Sequence, residues 1–215
     1  MNRPTIILTG KAAGGWYIDM LNSSLPGSEK DEKAYNIIQT DFGPINTLLP
    51  HKMAQAAKLL EPYFVKSEAE KTPYILANIT LHEAVSYFTI EPKYFISIKS
   101  IINTETDNRL LIVGLLGTSY TMTCNYWKKN FPNLQFITLP DNLLQAIDEL
   151  RKCYYNNTDK ALALKVFMQL QSIEVDYWIL ACTELAIACD DANIELPMIH
   201  LPKLQCDYLI KATKV

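Results

Sequence analysis

The sequence predicts an α/β protein of two similar lobes, each built on a mainly parallel sheet covered by helices. Three observations predict it. Short apolar runs alternate with longer amphipathic ones. The two halves echo each other at a nearly constant offset. No apolar run approaches the length of a membrane helix.

The short runs Ile6–Leu8, Tyr74–Leu76, Tyr94–Ile98, Leu110–Leu116, Gln135–Thr138, Tyr177–Leu180 and Met198–His200 are predicted as buried strands. Between them, residues 15–22, 52–64, 80–88, 121–130, 143–154, 160–174 and 184–193 are predicted helical. Leu143, Leu144, Ile147 and Leu150 share one helical face, as do Ala163, Val166, Phe167 and Leu170. Residues 22–33 and 103–108 are polar and read as surface loops. Asn156-Asn157-Thr158-Asp159 is a smaller break, with Thr158 or Asp159 placed to cap the following helix.

The repeat rests on two matches. Tyr74-Ile75-Leu76-Ala77-Asn78 resembles Trp178-Ile179-Leu180-Ala181-Cys182, and Ile7-Leu8-Thr9-Gly10 resembles Leu115-Leu116-Gly117-Thr118. Each puts a buried strand before a small or polar turn. The expectation is a duplicated unit: lobes 1–102 and 103–202 related by a pseudo-twofold, with the C-terminal segment 203–215 joining the first. A single doubly wound sheet with chance similarity is the alternative. Ligands of parallel sheets bind at the carboxyl ends of strands, so Asn78 and Cys182 are expected to face each other across an interdomain cleft.

Composition narrows the function. The chain is 49% hydrophobic and 20% charged, which excludes a disordered polypeptide. Its formal charge of −3 gives no basic footprint, so neither nucleic acid nor anionic membrane is expected as a partner. The first apolar run is too short for a signal-peptide core, and the cytoplasm is the expected location. The five cysteines, Cys124, Cys153, Cys182, Cys189 and Cys206, include no C-x-x-C pair, so neither a disulfide framework nor a metal site is expected.

Three segments carry a resemblance. They are Ile179-Leu180-Ala181-Cys182-Thr183-Glu184-Leu185, Val113-Gly114-Leu115-Leu116-Gly117-Thr118-Ser119-Tyr120-Thr121-Met122 and Ile38-Gln39-Thr40-Asp41-Phe42-Gly43-Pro44-Ile45. Together they resemble the cofactor-independent aspartate/glutamate racemase superfamily, most nearly its aspartate racemase and broad-specificity L-aspartate/glutamate racemase branch. The resemblance implies a small acidic amino acid or related carboxylate as ligand, no cofactor, and a homodimer. It implies that Cys182 is an acid/base group and that Gly10, Thr80, Thr118, Thr183 and Glu184 bind substrate. Three departures stand out. Asn78 occupies the position of the family's first catalytic cysteine, Ile79 replaces a carboxylate-binding asparagine, and His200 stands where the branch usually has aspartate. The opening turn Thr9-Gly10-Lys11-Ala12-Ala13-Gly14-Gly15 is altered and shorter.

A two-base racemase needs proton carriers on both faces of the substrate α-carbon. A thiol suits the task because its surroundings tune its pKa. Cys182 precedes a predicted helix, whose N–H groups and dipole are expected to favour thiolate. Asn78 cannot exchange protons near neutral pH. Three readings follow. His82, four residues on, replaces the missing base; or Cys182 alone exchanges protons, as in the superfamily's decarboxylases; or the fold persists as a binding protein without racemisation. His200 is expected to line the cleft, Lys11 is a candidate anion ligand on the turn, and His51 is expected in solvent.

Overall fold

The computed structural model describes residues 3–24, 34–158 and 161–212. Most of the predicted 22–33 loop, from residue 25 on, lies outside the described residues, as does Asp159. The chain divides into two compact units: Met1–Ile98 with Lys203–Val215, and Lys99–Pro202.

The first unit contains β1 (Thr5–Leu8), α1 (Lys11–Ser24), β2 (Asn36–Gln39), α2 (Phe42–Asn46), α3 (Met53–Ala69), β3 (Tyr74–Ala77) and α4 (His82–Val85). Its sheet is parallel, in the order β2-β1-β3. Both β1 and β3 are buried at every position, which explains why they read as continuous apolar runs. β2 is an exposed edge, with Ile37 42% accessible, and its lack of a buried face hid it from the sequence pattern. Ile6, Leu8, Ile75 and Ala77 pack with Tyr17 and Leu21 of α1 into one core cluster.

The predicted strand over Tyr94–Ile98 is not a strand. Only Phe95 bridges Tyr74, and Ile98 already begins a helix. Two carboxylates of α3 hold residues 89–94 instead. Glu61 accepts from the Thr89 N–H and hydroxyl and from the Ile90 N–H, and Glu68 accepts from the Tyr94 N–H and the Tyr74 hydroxyl. Phe64, Phe88 and Phe95 fill the space beneath with edge-on ring contacts.

The second unit contains α5 (Ile98–Thr106), β4 (Leu111–Leu116), α6 (Ser119–Thr123), α7 (Tyr126–Asn130), β5 (Leu134–Phe136), α8 (Asp141–Asn156), α9 (Leu162–Gln171), β6 (Tyr177–Leu180), α10 (Thr183–Ala192) and β7 (Met198–His200). Ile98 itself is the last residue of the first unit. The second sheet is also parallel, in the order β5-β4-β6-β7. Both sheets therefore put the second strand beside the first and the first beside the third. The two repeated sequence segments lie on the first and third strand of each sheet. α11 (Leu201–Lys211) begins in the second unit and runs into the first.

Several predicted elements differ. The helix over 80–88 shrinks to α4, and the one over 121–130 splits into α6 and α7 around Cys124, whose backbone is extended. The first part of the predicted 103–108 loop is the last turn of α5. Asn157 ends α8 in the left-handed conformation, φ 52°. Thr158 does not cap α9: its hydroxyl donates back to the Cys153 carbonyl, and Ala161 stands at the N-cap. The two helical faces hold, with Leu143, Ile147 and Leu150 of α8 and Ala163, Val166, Phe167 and Leu170 of α9 buried. Leu144 is only half-buried. Among the described residues no helix is long and apolar enough to cross a membrane.

One glycine is fixed by packing. Gly114 of β4 stands beside Trp178 of β6, and a methyl group there would fall inside the buried Trp178 indole. Gly114→Ala is expected to destabilise the fold by about 3 kcal/mol, the upper range of core overpacking. Urea unfolding followed by tryptophan fluorescence checks this, and an unchanged midpoint would contradict it.

Candidate active site

Two clusters of polar side chains lie at the carboxyl ends of the strands, one in each unit. The cluster in the second unit contains Cys182. Cys182 is the N-cap of α10, with extended backbone (φ −152°, ψ 131°), and is 6% exposed. Its position follows from β6, whose end is pinned to β4 by the Ala181 N–H donating to the Leu116 carbonyl at 2.7 Å. The Cys182 thiol donates to Glu184 Oε2 at 3.0 Å, and the Thr183 hydroxyl donates to the same oxygen at 3.1 Å. Glu184 sits in the first turn of α10, where a carboxylate is favoured by the helix dipole.

The expectation that the helix N-terminus makes Cys182 a thiolate is corrected. Burial pushes the thiol well above the ordinary range, and the neighbouring Glu184 charge and its hydrogen bond push it further. The backbone N–H groups of Leu185 and Glu184 do act to lower it, as the helix argument requires, but they are outweighed. Glu184, expected to bind substrate, accepts on Oε2 from both the Cys182 thiol and the Thr183 hydroxyl.

Thr118 and His200 share this strand edge. Thr118 follows β4 and caps α6, its hydroxyl accepting from the Thr121 N–H at 3.1 Å and meeting the Thr121 hydroxyl at 2.9 Å. Gly117 allows this, since a Cβ there would crowd the Thr121 side chain. His200 ends β7 in register with Leu180, and it is half-buried.

In the first unit, Gly10, Asn78 and Thr80 follow the strand ends. Asn78 is committed on both sides of its amide. Its Nδ2 donates to Thr9 Oγ1 at 3.2 Å, and its Oδ1 accepts from the Leu81 N–H at 3.1 Å, which closes the turn into α4. Thr80 is half-buried in that turn, and Gly10 leads directly into α1. Lys11 and His51 are exposed.

His82 is corrected as a candidate base. It is 3% exposed, stacked on Phe95 with ring centroids 5.0 Å apart. Its Nδ1 accepts from the Ile98 N–H at 3.4 Å, and its other nitrogen lies 3.2 Å from the Gln205 amide. Desolvation pushes its pKa down to about 3, against a small opposing effect of the Leu76 carbonyl. The ring is a neutral core group. The sequence pattern also gave no notice of Thr9, Tyr17 or Gln205, because an isolated polar residue within an apolar periodicity does not reveal its partners.

The remaining cysteines do not join the cluster. Cys206 is buried in the first unit's core, Cys124 donates to the Thr121 carbonyl, and Cys189 donates to the Ile194 carbonyl. Among the described residues no group of three His, Cys, Asp or Glu side chains is placed to hold a metal ion.

Comparison with solved structures identifies the fold. A candidate Asp/Glu racemase of Yersinia pestis matches with TM-score 0.79 at 17% identity, covering 99% of this chain and 100% of that one. An aspartate racemase of Picrophilus torridus matches with TM-score 0.74 at 18% identity, covering 99% and 94%. An aspartate racemase homologue of Pyrococcus horikoshii matches with TM-score 0.69 at 19% identity over the whole of both chains. No protein-family model matches the sequence, and no curated protein matches it. The chain thus has the fold of the aspartate/glutamate racemases.

A neutral buried histidine makes stability depend on pH. The unfolded chain takes up a proton near pH 6.5 and the folded one only near pH 3, so stability is lost as pH falls between these values. The expected slope is about 1.4 kcal/mol per pH unit. Urea midpoints of wild type and His82→Asn, compared from pH 7 to pH 4, check this. Most of the difference in slope is expected to trace to this residue; equal slopes would contradict it.

Proposed function

We propose that this chain is a cofactor-independent, racemase-like enzyme of the aspartate/glutamate racemase superfamily, acting on aspartate, glutamate or a similar small acidic amino acid through the Cys182 thiol. The observation that carries the reading is the Cys182–Glu184 contact on the racemase fold. Glu184 takes the thiol proton, so the negative charge moves from carboxylate to sulfur and is not created afresh in a buried site. The Glu184 and Leu185 N–H groups stabilise the resulting thiolate. The thiolate then removes the substrate α-proton and becomes a thiol again, leaving an α-carbanion. Protonation of the carbanion by water on the opposite face completes inversion, while reversal of the first step returns the proton with retention. Thr80, Thr118, Thr183 and Gly10 are the proposed contacts to the substrate, and His200 a further group lining the site.

A second reading is favoured by the amide of Asn78, which is committed to Thr9 and Leu81, and by the burial of His82. With no proton carrier in that strand-end turn, Cys182 acts from one side only. The products are then α-proton exchange with retention, or decarboxylation of a related acid. A carboxylate-binding protein without turnover is the limiting case.

Incubating the protein in D2O with each enantiomer of aspartate and glutamate tests both. Deuterium incorporation at the α-carbon is expected, with at least a hundredfold loss in Cys182→Ser and a tenfold or greater loss in Glu184→Gln. Incorporation with inversion supports the racemase, and incorporation with retention supports the one-sided reading. No incorporation with any of the four substrates would contradict thiol chemistry on these acids.

A further inference from the structure

β3 is an edge strand of the first sheet, and its outer carbonyls need partners. Tyr74 O is taken by the Ile96 N–H at 2.9 Å. Leu76 O, two residues on and on the same edge, is taken by the Gln205 side-chain amide at 3.2 Å. Gln205 is fully buried in α11, and its own oxygen accepts from the fully buried Tyr17 hydroxyl at 2.5 Å. His82 receives the Ile98 N–H on Nδ1 at 3.4 Å, and its Nε2 lies 3.2 Å from the Gln205 amide nitrogen.

The positions of these groups give them a second role. The chain leaves the first unit after Ile98 and returns to it at Lys203. His82 holds the first residue of α5 at the point of exit, and Gln205 lies three residues into the first-unit part of α11. We propose that His82 and Gln205 form a clamp that ties together both segments by which the chain passes between its units, using the open edge of β3 as the anchor. The two crossings then loosen together and not separately. The buried contact between His82 and Gln205 joins Ile98 to α11, because His82 receives the Ile98 N–H and Gln205 is anchored on Leu76 O.

Native-state hydrogen exchange on the full chain tests this with two variants. His82→Phe keeps the ring contact with Phe95 and removes the polar bonds; Gln205→Met keeps the volume and removes the amide. Each is expected to speed exchange at least tenfold both at the Ile98 amide and along residues 203–207, while the amides of β1 keep their protection. Combining the two is expected to add less than the sum of the single effects. Exchange that rises only beside the substituted residue, that rises equally in β1, or that is additive in the double variant would overturn the clamp. Should His82→Phe fail to fold, Gln205→Met alone decides, since it touches neither Ile98 nor its amide.

Discussion

Strands buried at every position leave a protein no place for chemistry except their ends. β1 and β3 in the first unit are buried throughout, as is most of β4 and β6 in the second, and apart from Thr5 and the Tyr74 hydroxyl β1 and β3 present apolar side chains. Their parallel direction brings the carboxyl ends of each sheet to one edge, where helices begin and unpaired N–H groups collect. Asn78 and Cys182 each stand just beyond a third strand. What differs between them is what the following turn does with its polar groups: the Asn78 turn consumes them, and the Cys182 turn aims a thiol at a carboxylate.

That contact sets opposing electrostatic effects against each other. A helix N-terminus alone lowers a thiol's pKa, and the two N–H groups beside Cys182 act in that direction. Burial and a carboxylate 3.0 Å away act the other way and win. The resting pair is therefore a thiol hydrogen-bonded to a carboxylate, and in the proposed reaction a proton moves within the pair. This is an economical arrangement for a buried site, since one negative charge is present before and after the transfer.

Much of the fold was legible in the residues. Continuous apolar strands and strongly one-sided helices such as α8 and α9 declared themselves, because burial on a fixed face imposes a fixed period. Cys182 was legible from its strand-turn-helix setting and its motif. The edge strand β2 was not, because an exposed strand need not alternate, nor was the bridging segment at Phe95, which is held by Glu61 and Glu68 of α3. His82 misled for a related reason. Spacing places it four residues from Asn78, yet only the tertiary contacts with Gln205, Phe95 and Ile98 show it to be a core residue. The direction of the Cys182 shift also needed a side-chain position, since Glu184 could equally have pointed to solvent.

The central claim is that Glu184, as hydrogen-bond acceptor, keeps the proton on the resting Cys182 thiol. The most direct measurement is the pH dependence of Cys182 alkylation by iodoacetamide, read by peptide mapping so that the other four cysteines are separated, in wild type and Glu184→Gln. The account predicts a wild-type thiol that titrates well above an ordinary cysteine, about 8.5, and a lower apparent pKa once the carboxylate is neutralised. A wild-type thiolate already formed below pH 7, or a pKa that rises in Glu184→Gln, would contradict it.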